Sequence, residues 1–216
     1  SLGEYGALAA SGVMSAEDVF KIVRKRGIYM QEAVPNGGAM VAVLGLDTAV
    51  IEKICEETEG CVSIANYNCP GQIVITGEEG AAQAAVEKLT AAGAKRCVPL
   101  KVSGPFHSSL LVGAGEKLAK ELENVEICDI QIPYIANVTA DYVKDKSEVK
   151  SLLEKQVSSS VKWQQTIERM IADGVDTFIE IGPGKTLSGF MRKINKDMKV
   201  YNVEKVEDLD KLSELM

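Results

Sequence analysis

A chain of 216 residues, 46% hydrophobic and 25% charged, has enough apolar mass for one large α/β domain or for a domain carrying a smaller inserted one. A net charge of −7 and the lack of a basic tract exclude a nucleic-acid partner, since nothing could neutralise a run of phosphates. No apolar run is long enough to span a bilayer and the first residues lack the basic start of a secretory signal, so a cytoplasmic protein with no membrane partner is expected. Cys55, Cys61, Cys69, Cys97 and Cys128 are odd in number and show no Cys-x-x-Cys spacing, so they predict reduced core residues with no disulfide framework and no metal site.

Residues 1–10 read as a short helix rich in small side chains, stopped by Ser11-Gly12 and suited to close packing against a sheet. Ser15-Ala16-Glu17-Asp18 resembles a capping box, with Ser15 as N-cap, and opens a helix to about Glu32. Its inward stripe is predicted from Val19, Val23, Arg26 and Met30, spaced four, three and four apart. Arg26 therefore lies on an apolar face. An arginine placed there costs desolvation unless it meets an anion, so Arg26 is a candidate ligand-binding residue, with a snorkelling structural role as the alternative.

Between 37 and 102 the pattern is strand, helix, strand, strand, helix, strand: residues 40–44, 48–57 behind Asp47 as N-cap, 62–67, 72–76, 79–92, and 95–102. The βαββαβ order is that of a ferredoxin-like subdomain. Further on, helices are predicted up to Asn124, from Ser147 through Gln156, and around Trp163, Ile167, Met170 and Ile171, with an extended segment at 130–138. A strand at 176–181 turns through Gly182-Pro183-Gly184-Lys185 into a helix at 186–195, followed by a strand at 199–203 and a terminal helix at 207–215. Strands and helices alternating outside the insert predict an α/β fold with a doubly wound, mostly parallel sheet.

Ser103-Gly104-Pro105-Phe106-His107-Ser108-Ser109 holds the only histidine of the chain. Gly104-Pro105 breaks the preceding element and Ser108 or Ser109 can cap the helix that follows, which places His107 on a strand-to-helix turn. Pro105 and Phe106 give its ring an apolar wall. An imidazole in that setting stays neutral and able to accept a proton.

Ser-Leu-Gly-Glu-Tyr at 1–5, Gly-Pro-Phe-His-Ser at 104–108 and Glu-Ile-Gly-Pro-Gly-Lys at 180–185, in that order, resemble malonyl-CoA:acyl carrier protein transacylases and the related acyltransferase domains of fatty acid and polyketide synthases. The resemblance implies a hydrolase-like core over 1–36 and 103–216 with the ferredoxin-like unit, 37–102, inserted. It implies Ser1 as nucleophile, His107 as general base, and Leu2 as donor of one oxyanion-hole N–H. Gly3 is implied to allow close helix packing, Arg26 to bind the malonyl carboxylate, and the Gln156 carbonyl to orient His107. Phe106 matches the malonyl-selective form of the histidine motif. Malonyl-CoA and acyl carrier protein are the implied partners, and coenzyme A enters as part of a substrate, with no bound cofactor.

The family pattern has a segment before the serine, bearing the leading Gly-His of the nucleophile elbow and a glutamine loop that supplies the second oxyanion donor. That segment is expected to be needed for folding and activity, with a separate chain as one source of it. The alternatives are a polyketide-synthase acyltransferase domain, an acyl-CoA hydrolase, an inactive fragment, or a Ser1 that uses its own amine as base. Arg192, Lys193 and Lys196 form a basic cluster expected to steer an acidic carrier protein, against the plainer role of a solvated helix end.

Overall fold

The computed structural model describes residues 1–102 and 104–215, so Ser103 of the histidine stretch lies outside the described residues. Eight α-helices and six strands are formed there, giving a mixed α/β architecture. The first two helices are α1, Leu2–Ala10, and α2, Ala16–Ala33. The N-cap of α2 is Ser15, whose Oγ accepts from the Asp18 N–H at 3.0 Å. Only half of the capping box forms, because the Ser15 hydroxyl itself donates to the Asp18 carboxylate. The buried stripe of α2 is Val19, Ile22, Arg26 and Met30, with Ile22 taking the place predicted for Val23.

The segment after α2 runs β1, Gly38–Leu44; α3, Thr48–Glu56; β2, Val62–Cys69; β3, Gln72–Glu78; α4, Glu79–Ala91; and β4, Arg96–Pro99. Its strands pair in the order β2-β3-β1-β4, antiparallel at every step. The last strand is shorter than predicted and ends at Pro99, a residue with no N–H to continue a ladder. Period-two alternation gives the sheet two apolar faces. Val41, Val43, Ile73 and Ile75 pack with Ile51, Ala85 and Leu89 of α3 and α4, while Met40, Ala65 and Val74 form a smaller cluster on the opposite side.

The rest of the chain forms α5, Val112–Glu123; α6, Val149–Ser158; α7, Trp163–Ala172; β5, Thr177–Ile181; α8, Thr186–Ile194; and β6, Lys199–Val203. Short 3-10 turns precede α5 and α6 and span the end, Val206–Leu215, where an α-helix was predicted. Helices α1, α2, α5 and α6 share one core that includes Tyr5, Leu8, Ile22, Met30, Leu118, Leu122 and Leu153. Among the described residues, β5 and β6 are the one parallel pair of strands, beside an isolated parallel bridge between Asn66 and Val161. The predicted extended segment at 130–138 holds no strand, only an isolated antiparallel bridge between Ile135 and Tyr142.

Contacts at β2 and at the start of β1 tie the sheet to the rest of the chain. The residues after α6 run beside β2, with the Tyr67 N–H donating to the Val161 carbonyl at 2.9 Å and the Val161 N–H donating to the Ala65 carbonyl at 2.8 Å. At the start of β1, Gly38 lies against the ring of Pro105: a Cβ there would come within 2.3 Å of Pro105 Cδ. Glycine is the residue that lets the histidine turn seat on this sheet.

Glycines of this chain therefore differ sharply in what they tolerate. At Gly77 in β3 a Cβ would sit 2.0 Å from the Cys61 carbonyl oxygen, whereas at Gly27, inside α2, it would meet nothing within 4 Å. Gly77→Ala is expected to lower stability by about 2–3 kcal/mol, since backbone must move. Gly27→Ala is expected to raise it by about 0.5–1 kcal/mol through helix propensity. Denaturant unfolding of both variants checks the opposite signs.

Candidate active site

Ser1 is the N-cap of α1, yet its side chain makes no capping hydrogen bond. Its Oγ is left free to face two other groups. His107 Nε2 lies 3.1 Å away and Arg26 Nη2 donates to the same oxygen at 2.9 Å. The first N–H groups of a helix have no carbonyl four residues back, so that of Leu2 is an available donor beside Ser1, at the positive end of the helix dipole.

Among the described residues, His107 is one of two non-glycine residues with positive φ, at 61°. That left-handed conformation costs energy for a side-chain-bearing residue and persists where surroundings over-determine it. Here Pro105 is pressed on Gly38, and the Ser108 hydroxyl donates to the Pro105 carbonyl at 2.6 Å. Ser108 is thus spent on holding the turn: it stands at the N-cap position without a side-chain capping hydrogen bond, although the sequence had offered Ser108 or Ser109 as the cap. The ring is buried, and Nδ1 lies 2.9 Å from the Gln156 carbonyl oxygen. A carbonyl only accepts, so Nδ1 carries the proton and Nε2 presents its lone pair to Ser1. Burial pushes the His107 pKa down to about 4, assisted by the positive charge of Arg26 and resisted by the Gln156 carbonyl.

Gln156 occupies the last turn of α6, where carbonyls are left without intrahelical partners. Its side chain is fully buried. The amide nitrogen donates to Glu4 Oε2 at 2.7 Å, to the Ser1 carbonyl at 3.1 Å and to Asn137 Oδ1 at 3.2 Å. Its Oε1 has no partner among the described residues, an arrangement that costs about 1–3 kcal/mol. Glu4 is also buried and accepts from the Asn137 N–H at 3.0 Å. Burial raises the Glu4 pKa, while the Asn137 and Gln156 donors and the Arg26 charge oppose the rise.

Arg26 is buried as predicted, and no carboxylate within salt-bridge distance neutralises it among the described residues. Its guanidinium carbon lies 5.6 Å from the centre of the Tyr5 ring. Its Nε is a buried donor without a hydrogen-bond partner among the described residues. Burial weakens its hold on its proton, with Tyr5 and Glu4 acting in the opposite sense. A cation held dry with a spare N–H is prepared for an anionic group near Ser1 Oγ.

Other predicted residues are placed less directly. Phe106 is half-buried and packs against both the helical core and the Met40 cluster, joining the two bodies beside His107. Leu2 is largely exposed. Gly3 is not closely packed among the described residues, because a Cβ there would meet nothing within 4 Å. The carboxylate of Glu180, in the third motif, accepts from the Leu187 and Ser188 N–H groups at 3.0 and 2.8 Å, so this motif ties β5 to the start of α8. Arg192, Lys193 and Lys196 are exposed at the end of α8, and Lys193 donates to Gln72 Oε1 at 3.1 Å. The cysteines are not uniformly core residues: Cys55 and Cys69 are buried, Cys61 and Cys97 half-buried, and Cys128 exposed.

A cleft of about 680 Å³ opens beside the histidine, between Cys61–Ser63 and Ser158–Ser160, with His107 and Ser109 in its wall. A more apolar cavity of about 220 Å³ lies elsewhere, among α7, β5, α8 and β6, and touches neither Ser1 nor His107. Glu4 and the Gln156 side chain were not recognised in the sequence. Their signal was present: Gln156 falls on the apolar stripe of Val149, Leu152, Leu153 and Val157, and Glu4 lies one turn from Ser1 beside buried Tyr5 and Leu8.

Residues 1–209 match the family described as acyl transferase domain. A malonyl CoA-acyl carrier protein transacylase of Bacillus subtilis (strain 168) is 46% identical over 214 residues, covering 97% of this chain and 68% of that protein. The crystal structure of MCAT from Streptococcus pneumoniae superposes with a TM-score of 0.94 at 47% identity, over 99% of this chain and 70% of that one. A malonyl-transacylase solved with a type II PKS acyl-carrier protein superposes with a TM-score of 0.95 at 38% identity, over 99% of this chain and 70% of that one. With the model matched almost from end to end and relatives this similar over most of their own length, the chain belongs to the acyl transferase domain family.

Proposed function

We propose that this chain carries the acyl-transfer centre of a malonyl-CoA:acyl carrier protein transacylase, acting in fatty acid biosynthesis. The observation that carries this function is a single oxygen with two partners: Ser1 Oγ, 3.1 Å from a neutral imidazole and 2.9 Å from a buried guanidinium. The first partner suits a nucleophile and base, and the second suits an acyl group with a free carboxylate.

In the acylation half, Ser1 Oγ attacks the thioester carbonyl of malonyl-CoA while its proton passes to His107 Nε2. The Leu2 N–H supports the oxyanion that forms. The C–S bond then breaks, His107 returns the proton to the departing sulfur, and free coenzyme A leaves a malonyl ester on Ser1. The second half runs the same steps with the pantetheine thiol of acyl carrier protein as nucleophile, regenerating Ser1. Arg26 holds the malonyl carboxylate throughout, and Phe106 bounds the acyl side of the histidine. No step needs a metal or a bound cofactor. The Gln156 carbonyl takes the orienting place of an acid, making the catalytic unit a serine–histidine dyad.

Residues 37–102 form, in this proposal, a ferredoxin-like subdomain inserted in a hydrolase-like, doubly wound core made of 1–36 and 103–216. The βαββαβ order and the β4-β1-β3-β2 antiparallel sheet support the first part, and the β5–β6 parallel pair supports the second. A cytoplasmic setting agrees with cysteines that are all unpaired.

Three outcomes follow. Charge-assisted hydrogen bonds contribute about 1.5–3 kcal/mol each, so Arg26→Ala should slow malonyl transfer by roughly tenfold to a hundredfold. Acetyl transfer should be unchanged or faster, because acetyl-CoA has no carboxylate to lose; parallel rate measurements with the two thioesters decide this, and proportional loss of both in a folded variant would make Arg26 structural. The pH profile of acylation gives a second outcome. His107 works as a neutral base and its pKa is displaced downward to about 4, so the rate should hold constant as pH falls from 8 through 6.5 and decline only at lower pH. Half-loss at or above pH 6.5 would contradict that environment. Lastly, Arg192→Glu with Lys193→Glu and Lys196→Glu should slow transfer to carrier protein about tenfold at low salt and leave acylation by malonyl-CoA intact. Equal loss in both half-reactions counts against a carrier-docking role.

A further inference from the structure

We propose that Glu4 is a positioning residue for the dyad: by fixing the Gln156 side chain, it holds the Gln156 carbonyl in line with His107 Nδ1. This rests on Ser1 and His107 being the reacting pair.

The carbonyl that directs His107 is a neutral acceptor at a helix end, and a helix end is where backbone frays most readily. The ring it directs stands on a backbone of positive φ. A displaced carbonyl would release the Nδ1 proton to Nε2, and an Nε2–H ring cannot take the Ser1 proton. Whatever fixes residue 156 therefore fixes the tautomer.

Three acceptors converge on the Gln156 amide nitrogen: Glu4 Oε2, the Ser1 carbonyl and Asn137 Oδ1. Turning the amide over would point its oxygen at all three, so its orientation is set even though Oε1 has no partner among the described residues. Glu4 makes the shortest of the three contacts, at 2.7 Å, and is the only charged acceptor. The same carboxylate oxygen accepts from the Asn137 N–H, which anchors it from the loop on its other side. Glu4 lies on α1 one turn after Ser1, so one rigid turn sets the nucleophile and, through Gln156, the orientation of its base. Neither Ser1 Oγ nor the His107 ring is among its hydrogen-bond partners. Its effect passes through residue 156.

The single histidine makes the test direct, because the imidazole ¹⁵N resonances of labelled protein report one ring only. Wild type should show a neutral ring protonated at Nδ1. Glu4→Leu removes the acceptor that Gln156 and the Asn137 N–H share. It should give a mixed or Nε2–H ring near neutral pH and lower kcat for acylation tenfold or more, with KM for malonyl-CoA changed less than threefold. Glu4→Gln keeps a carbonyl oxygen able to accept both hydrogen bonds and should retain the Nδ1–H ring and at least a tenth of the wild-type kcat. Should Glu4→Leu not fold, Gln156→Leu, which keeps the backbone carbonyl but loses the side-chain tie, decides by the same two readouts. A folded Glu4→Leu protein with a lower Tm but an unaltered tautomer and kcat makes Glu4 merely structural and overturns the positioning role. A folded Gln156→Leu protein that keeps the Nδ1–H ring and the wild-type kcat overturns it as well. A wild-type ring lacking the Nδ1 proton overturns the Ser1–His107 pairing and, with it, the role of Glu4.

Discussion

A neutral imidazole has one proton and two nitrogens, and the proposed chemistry at Ser1 needs that proton on the nitrogen facing away. The hydrogen bond of His107 Nδ1 with the Gln156 carbonyl, at 2.9 Å, settles the choice. Much of the surrounding structure serves that bond. The close approach of Gly38 to Pro105 seats the turn that carries His107, and the Val161 contacts with β2 hold the chain just beyond α6. The fully buried Gln156 side chain packs the same helix end against α1. A carbonyl at a helix C-terminus carries extra negative partial charge, which offsets part of what an ionised third residue would otherwise supply.

Burial has opposite consequences for the two groups that meet at Ser1. It keeps His107 uncharged, and an uncharged base is what acyl transfer uses. It leaves Arg26 charged but poorly solvated, stabilised by the Tyr5 ring and by the nearby charge of Glu4 without an ion pair. The site therefore holds a desolvated cation whose electrostatic deficit a carboxylate-bearing acyl group can relieve, and a neutral acyl group cannot. In the proposed mechanism, selectivity and reactivity arise from one act of exclusion of water.

Local signals in the sequence carried the elements well. Ser15 and Asp47 announced their helices as N-caps, and both side chains accept the N–H groups expected of them. The spacing of Val19, Arg26 and Met30 placed an arginine on a buried face, where it is found. What periodicity could not supply was contact between distant residues. Gln156 looks like an ordinary member of a helix, and only its pairing with Glu4, more than 150 positions away in sequence, shows why a polar side chain occupies an apolar stripe. The same holds for Gly38, whose need to be glycine comes from Pro105. Ser108 illustrates the reverse error: a cap by local rules, its hydroxyl is claimed by the turn that precedes it. The parallel pairing of β5 and β6 was implied by the alternation of strand and helix, but the pattern of residues 130–138 did not reveal that Pro133 and its neighbours form an irregular run with a single bridge.

The most direct test of the central claim is to find where the acyl group is held. Protein incubated briefly with isotopically labelled malonyl-CoA, quenched in acid and digested should yield one labelled peptide, with the malonyl ester on Ser1. Addition of acyl carrier protein before the quench should move that label to the carrier thiol. Label on another residue, label released only as free malonate when carrier is present, or equal Ser1 labelling in a folded His107→Asn variant would contradict a Ser1 nucleophile activated by His107 for transfer to a carrier.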